Sequence, residues 1–132
     1  MLKAIPESFH DLLADSGRAF AYLATVMADG TPQVTPVWFN TGGEYLLVNS
    51  AKGRVKDRNM RKRPNVALVI ADPKNAYRYL QIRGKVVEIT EEGARAHIDA
   101  LAKKYTGSDQ YQGPGEGRVI YKIKPEKVST MG

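Results

Sequence analysis

The sequence predicts a mainly β (α+β) fold: an antiparallel sheet of about six strands closed into a small barrel, with two or three peripheral helices. Three observations carry this prediction. Short apolar or alternating segments recur along the chain, as in 19–27, 32–40, 45–49, 66–71, 77–89 and 118–123. Most are joined by turns of only a few residues, and neighbours joined so tightly run antiparallel. A sheet of this size avoids exposed edges by closing on itself. At 132 residues the chain is expected to form one domain, 1–132, with no internal repeat and no linker.

The elements follow in order. Pro6 to Ser16 reads as a first helix, with Phe9, Leu12 and Leu13 on one face and Gly17 beyond its last turn. His10 sits there among polar neighbours, as a surface or capping residue. Ala19 to Met27 is apolar or small on both alternating faces, which predicts a strand buried on both sides. Ala28-Asp29-Gly30-Thr31 is a reverse turn, and Pro32 to Asn40 returns as the second arm of a hairpin. Pro32 and Pro36 each remove an amide from the ladder, so this strand belongs at an edge or a bulge. Trp38, the only tryptophan, is either core or a wall against a planar ring.

Thr41-Gly42-Gly43-Glu44 turns into the strand Tyr45 to Asn49, and Val66 to Ala71 reads as a central strand ended by Asp72-Pro73-Lys74-Asn75. Tyr77 to Ile89 places Leu80, Ile82, Gly84 and Val86 on one face, with Gly84 at a bulge or close approach. Thr90 is the expected cap of a helix whose first turn holds Glu91 and Glu92 and whose apolar face is Ala94, Ile98, Leu101, Ala102 and Tyr105. His97 reads as a helix-flank residue. Ser108 to Gly117 is a loop, and Arg118 to Ile123 is a last strand ending before Pro125.

The charge is concentrated. Residues 52–63 hold seven of the 20 cations and one of the 14 anions, so the rest of the chain is neutral although the whole carries +6. A compact cation cluster suits one or two phosphates better than an extended nucleic-acid groove. If Arg54 to Arg63 is helical, then Arg54, Arg58, Arg61 and Lys62 share a face, while Lys52, Arg54 and Lys56 crowd the amino end, where the macrodipole disfavours positive charge. Ser50 and the amides around Gly53 would help such an end hold a phosphate. A solvated charged face, or a strand with Lys52, Arg54, Lys56 and Arg58 on one side, are the other readings of this stretch.

Cysteine is absent, which excludes disulfides, thiol catalysis and thiolate metal sites. No nucleophile with its own base, carboxylate pair or metal-ligand spacing stands out, so no side chain is a candidate catalyst and no metal is expected. Any redox chemistry would belong to a bound cofactor carrying a phosphate and a ring. No signal-type segment or membrane-length run is apparent, and a cytoplasmic protein without membrane or nucleic-acid partners is expected.

Five stretches, in order, carry a family resemblance: Gly30-Thr31-Pro32-Gln33-Val34-Thr35-Pro36-Val37-Trp38, the strand into Asn49-Ser50, Gly53-Arg54-Val55-Lys56-Asp57-Arg58-Asn59-Met60-Arg61, Tyr79-Leu80-Gln81-Ile82-Arg83-Gly84 and Lys104-Tyr105-Thr106-Gly107. With these the chain resembles the split β-barrel superfamily of pyridoxamine phosphate oxidase type, and more closely its branch using the deazaflavin coenzyme F-420. The resemblance implies a homodimer of split barrels with cofactor sites at the interface, and an oxidoreductase passing a hydride from reduced deazaflavin to a small unsaturated substrate. It implies that Ser50, Arg54 and Lys56, beside Asn49 and Ala51, hold the cofactor phosphate, with Arg58, Asn59 and Arg61 near it or near an acidic oligoglutamate tail. Gln33, Thr35, Pro36, Val37 and Trp38 would line the ring, and Tyr77, Tyr79 and Gln81 would come from the other subunit. The chain ends Val128-Ser129-Thr130-Met131-Gly132, without the carboxy-terminal arm that binds vitamin B6 phosphate in the oxidases, so that substrate is not expected. Flavin mononucleotide is the alternative cofactor, and a non-catalytic barrel binding single-stranded nucleic acid is the reading from another class.

Overall fold

The computed structural model describes residues 2–132. Two short 3-10 helices, Glu7–Leu12 and Asp15–Gly17, precede seven strands: β1 (Ala21–Val26), β2 (Pro32–Val37), β3 (Phe39–Gly42), β4 (Tyr45–Ala51), β5 (Asn65–Asp72), β6 (Asn75–Thr90) and β7 (Arg118–Met131). Helix α1 (Val55–Lys62) follows β4, and α2 (Ala94–Thr106) follows β6. All pairings are antiparallel, in one sheet of order β2-β1-β5-β6-β7-β4-β3.

That order explains the closure. β2 and β3 are the two edges of the sheet, yet only Trp38 separates them in sequence. A flat seven-stranded sheet would hold its edges roughly 29 Å apart at the usual inter-strand spacing, far beyond the reach of one residue. The sheet therefore curls until its edges meet at Trp38, giving a mainly β split barrel. The expected single strand 32–40 is two strands broken at this seam, and Pro32 and Pro36 lie on the edge strand β2, paired to Val26 and Tyr22 of β1.

The inner face is largely apolar, with Ala21 and Leu23 of β1, Leu68 and Ile70 of β5, Leu80 and Ile82 of β6, and Tyr121 and Ile123 of β7 all at 1 % exposure or less. Phe9, Leu12 and Leu13 close one end of the barrel. They do so from 3-10 turns rather than the single α-helix expected over 6–16, and left-handed Arg18 (φ 51°) ends that segment.

Three further expectations are corrected. β1 is buried on one side only: Tyr22 is 44 % exposed, because apolar residues on the outer face of a curled sheet have nothing within one chain to cover them. Thr90 closes β6 and accepts the Glu92 amide (3.1 Å) in the turn before α2, so the helix starts only at Ala94, after left-handed Gly93. Finally, β7 runs through Pro125 to Met131. Pro125 lies opposite Gly84, beside a register shift between Arg83 and Gly84, where the ladder is already interrupted. The expected close approach at Gly84 is present: a Cβ there would stand 2.6 Å from the Lys124 carbonyl oxygen, so only glycine fits. Among the described residues no helix is long and apolar enough to cross a membrane.

Candidate functional site

A cavity of about 320 Å³ opens at the seam. Val37 and Trp38 come from the break between β2 and β3, Asn49 and Ser50 from the end of β4, and Arg54 and Lys56 from the start of α1. Phe20, Pro36, Ile98, Tyr111 and Arg118 complete the lining. A larger depression, about 410 Å³, lies around Val26, Pro32, Val66 and Gly84, but its cations Arg83 and Lys127 share it with Glu126. The seam cavity has three cations and no carboxylate, and that uncompensated charge marks it as the candidate site.

The aromatic wall is built from the seam outward. Trp38 is half-buried and lines the cavity, so it is wall rather than core. Its ring stacks on Tyr105 (centroids 5.3 Å apart), which stacks in turn on Phe20 (5.1 Å). The Tyr105 hydroxyl donates to the Ala19 carbonyl (2.8 Å) and accepts the Phe39 amide (3.3 Å), and buried Lys104 donates to the Phe39 carbonyl (2.7 Å). The last turn of α2 thus pins Phe39, just after the break, and ties it to Ala19 ahead of β1. Burial pushes the Tyr105 phenol up to about 12, so it stays a neutral hydrogen-bonding group.

The cationic wall depends on Asp57. Glycine is needed at 53, where φ is +86° between β4 and α1. The Gly53 amide donates to Asp57 Oδ2 (2.9 Å), while Asp57 Oδ1 accepts from Arg61 Nε (2.9 Å) and from the buried Tyr121 hydroxyl (2.5 Å). Burial acts to raise this carboxyl, but the Tyr121, Gly53 and Arg61 hydrogen bonds outweigh it and hold Asp57 below the ordinary carboxylate range. The amides expected to be free for a phosphate are in use: Lys52 donates to Gly117 O, Gly53 to Asp57 and Arg54 to Ala51 O.

Among the described residues, one unpartnered hydroxyl and two free cations line the cavity. Ser50 is 2 % exposed and its hydroxyl has no partner. Burial, then the neighbouring Arg54 and Arg118, push the Lys56 ammonium down. A buried orphan hydroxyl and mutually repelling cations fit a bound anion, which would satisfy all of them together.

The cavity therefore gathers Pro36, Val37, Trp38, Asn49, Ser50, Arg54 and Lys56 from the residues expected in the site. It does not gather the others. Arg58 donates to the Gly53 carbonyl (2.6 Å) and Arg61 is held by Asp57. Buried Asn59 donates to Thr25 Oγ1 (3.0 Å), whose hydroxyl donates to Gln33 Oε1 (3.1 Å), so Asn59 and Gln33 tie α1 to the hairpin. Thr35 on β2 keeps an orphan hydroxyl, and Ala51 sits half-buried at the end of β4. Tyr77, Tyr79 and Gln81 lie on the face of β6 opposite buried Leu80. Lys52 pairs with Glu91 (2.7 Å).

Phe20, Ile98, Tyr111 and Arg118 were not expected in the site. The one sequence signal for Arg118 is its place at the start of a strand directly after a glycine-rich loop. His97, read as a helix flank, is only 9 % exposed and contacts Asn49 behind the cavity, and burial followed by Arg118 pushes it down to about 4. The arrangement can hold an anion next to a planar ring. Among the described residues no cluster of metal-ligating side chains exists.

Comparison with known proteins agrees with the fold. The family model described as pyridoxamine 5'-phosphate oxidase matches residues 5–132. A solved F-420 reductase is 36 % identical, with 95 % of this chain and 98 % of that one aligned at a TM-score of 0.83. A conserved protein of Mycobacterium tuberculosis (21 % identity, 99 % and 89 % coverage, TM-score 0.76) has the same fold. So does a Listeria innocua protein named for pyridoxamine 5'-phosphate oxidase (21 %, 94 % and 95 %, TM-score 0.71). No curated protein matches the chain.

Proposed function

Because this chain belongs to the pyridoxamine 5'-phosphate oxidase family, we propose that it is an oxidoreductase that binds the deazaflavin coenzyme F-420 and passes a hydride from its reduced form to a small unsaturated substrate. The observation that carries this reading is the buried, unpartnered Ser50 hydroxyl beside the uncompensated cations Arg54 and Lys56, in a cavity that also presents Trp38. The 36 % identity to an F-420 reductase favours deazaflavin over flavin mononucleotide.

When bound, the reduced deazaflavin ring supplies the hydride; the chain's own residues bind and orient. Ser50 donates to the phosphate, and Arg54 and Lys56 neutralise it. Charge-assisted contacts of this kind are the stronger class of hydrogen bond, about 1.5–3 kcal/mol each. Trp38, backed by Tyr105 and Phe20, gives the ring a rigid face, while Pro36 and Val37 keep water from one edge. Fixing the ring at one angle to the acceptor is the main catalytic contribution such a site can make.

The reading includes a homodimer. Tyr22 (44 % exposed), Val34 (63 %) and Tyr77 (81 %) leave apolar surface on the outside of the sheet, and Ala24, Ala67 and Val69 line a shallow groove with the first two. A second copy covering this face would bring the outward-facing Tyr77, Tyr79 and Gln81 toward a neighbouring site. Sedimentation equilibrium at micromolar protein is expected to give twice the chain mass, and a monomer there would remove the dimer from the account.

The test of cofactor choice is parallel titration of the protein with oxidised deazaflavin and flavin mononucleotide, followed by ring fluorescence. Micromolar or tighter deazaflavin binding, clearly preferred over flavin, is expected. Preference for flavin would move the protein to flavin chemistry on the same fold.

A further inference from the structure

Arg118 opens β7 and is the most buried cation of the cavity, at 7 % exposure. It enters no ion pair among the described residues, unlike Arg61, Arg78 and Arg95. Its Nε donates to Asn49 Oδ1 (2.9 Å), Nη1 lies 3.5 Å from the Pro114 carbonyl, and the guanidinium sits over the Tyr111 ring at 5.1 Å. Nη2 meets no protein acceptor among the described residues. An arginine with no counter-charge at this depth is costly unless a ligand completes it.

The groups behind it hold it in one orientation. Arginine has no acceptor, so its contact fixes Asn49 with the amide oxygen toward Arg118 and Nδ2 away. Nδ2 then donates to the Ala94 carbonyl (2.9 Å) and to His97 Nδ1 (3.1 Å). His97 Nδ1 is therefore an acceptor, and the ring proton sits on Nε2, where it donates to Asn40 Oδ1 (2.8 Å). Asn40, His97, Asn49 and Arg118 form one directional chain from β3 through α2 and β4 to the cavity wall.

We propose that Arg118 is a third cationic ligand for the phosphate-class anion taken up in this cavity, and that His97 is the residue that positions it, acting through Asn49. The proposal rests on the reading of the cavity as an anion site, and it is independent of which ring the anion carries. Three cations and a hydroxyl offer more donors than the two oxygens of a carboxylate can engage, so the anion class is a phosphate ester or pyrophosphate rather than a carboxylate. The neutral His97 matters because its protonation on Nδ1 would set two donors, that proton and Asn49 Nδ2, against each other and release the amide that holds Arg118. The charged group facing His97 is Arg118 itself, which opposes a second positive charge there.

The test uses calorimetric titration of the full-length protein with inorganic pyrophosphate. Arg118→Gln is expected to weaken binding about tenfold or more, the loss of one charge-assisted contact, and Arg118→Lys, which keeps charge but loses the Asn49 anchor, by less. His97→Leu is expected to weaken it about tenfold, as loss of an outer-shell orienting group does. In the Arg118→Gln background the same His97 change should cost nothing further. Nitrogen-15 NMR of the wild type should show His97 neutral with its proton on Nε2 at pH 6. Unchanged pyrophosphate affinity in Arg118→Gln, or in Arg118→Lys should the first variant not fold, would overturn the ligand role. Additive losses in the double variant, or a proton on Nδ1, would overturn the positioning role. Failure to bind deazaflavin with pyrophosphate binding intact would count against the cofactor reading alone.

Discussion

The two halves of the basic stretch, residues 52–57 with three cations and 58–63 with four, have opposite fates. In the first half, Arg54 and Lys56 face the cavity with no carboxylate beside them and an orphan serine hydroxyl within the same wall. In the second half, Arg58, Arg61 and Arg63 spend their donors on the protein itself: the Gly53 carbonyl, Asp57, and the Val26 carbonyl with Asn59. Asp57 divides them. It turns back to the Gly53 amide, takes Arg61, and leaves Arg54 and Lys56 ahead of it facing the cavity without a carboxylate. Cation density therefore marks the neighbourhood of an anion site, and the internal acceptors decide which cations are left to serve it.

The widest separation between the halves is expected in ligand affinity. Arg54→Ala with Lys56→Ala should weaken deazaflavin binding roughly 100- to 1,000-fold, from the loss of two charge-assisted contacts, with the unfolding midpoint unchanged. Fluorescence titration beside urea denaturation reads both quantities, and a fall in stability to match the fall in affinity would erase the distinction.

Next in size is the divider. Asp57→Ala leaves the Gly53 amide and the buried Tyr121 hydroxyl without their acceptor and should cost about 3 kcal/mol of stability by denaturant unfolding. The acid dependence follows the same carboxylate. Its folded value lies below the ordinary 3.8, so its contribution is fully present above that value and is lost as pH falls through the lower, folded value. Stability should thus be flat in this respect from pH 7 to 5 and decline below about 4, and in Asp57→Asn that part of the decline should vanish.

The smallest effect belongs to the second half. Arg61→Ala removes an ion pair whose arginine side chain is 41 % exposed, and should cost about 0.5 kcal/mol. Deazaflavin affinity should stay within twofold of wild type; a larger loss would place Arg61 in the site.

Local chemistry made most of the fold legible. The hairpin at Gly30, the edge prolines, the close approach at Gly84 and the apolar face of α2 all follow from residues a few positions apart. Pro125 misled because its tolerance depends on Gly84, far off in sequence, and Thr90 because a serviceable cap lies four residues ahead of the helix it seemed to open. The seam at Trp38 follows from sheet order, which alternation does not encode. The same limit applies to the site. Ser50, Arg54 and Lys56 lie on one short stretch whose charge invited an anion, whereas Arg118, Tyr111 and His97 reach it through contacts spanning tens of residues. Asn59 and Gln33, polar and well placed by motif, are drawn inward by Thr25, a partnership that spacing could not disclose.

The most direct measurement is a crystal structure of the protein with oxidised deazaflavin bound. The account predicts the cofactor phosphate within hydrogen-bond distance of Ser50 Oγ, Arg54 and Lys56, with the ring against Trp38. A phosphate seated on Arg58 and Arg61 on the far side of α1, with the Ser50 hydroxyl still unpartnered, would contradict it.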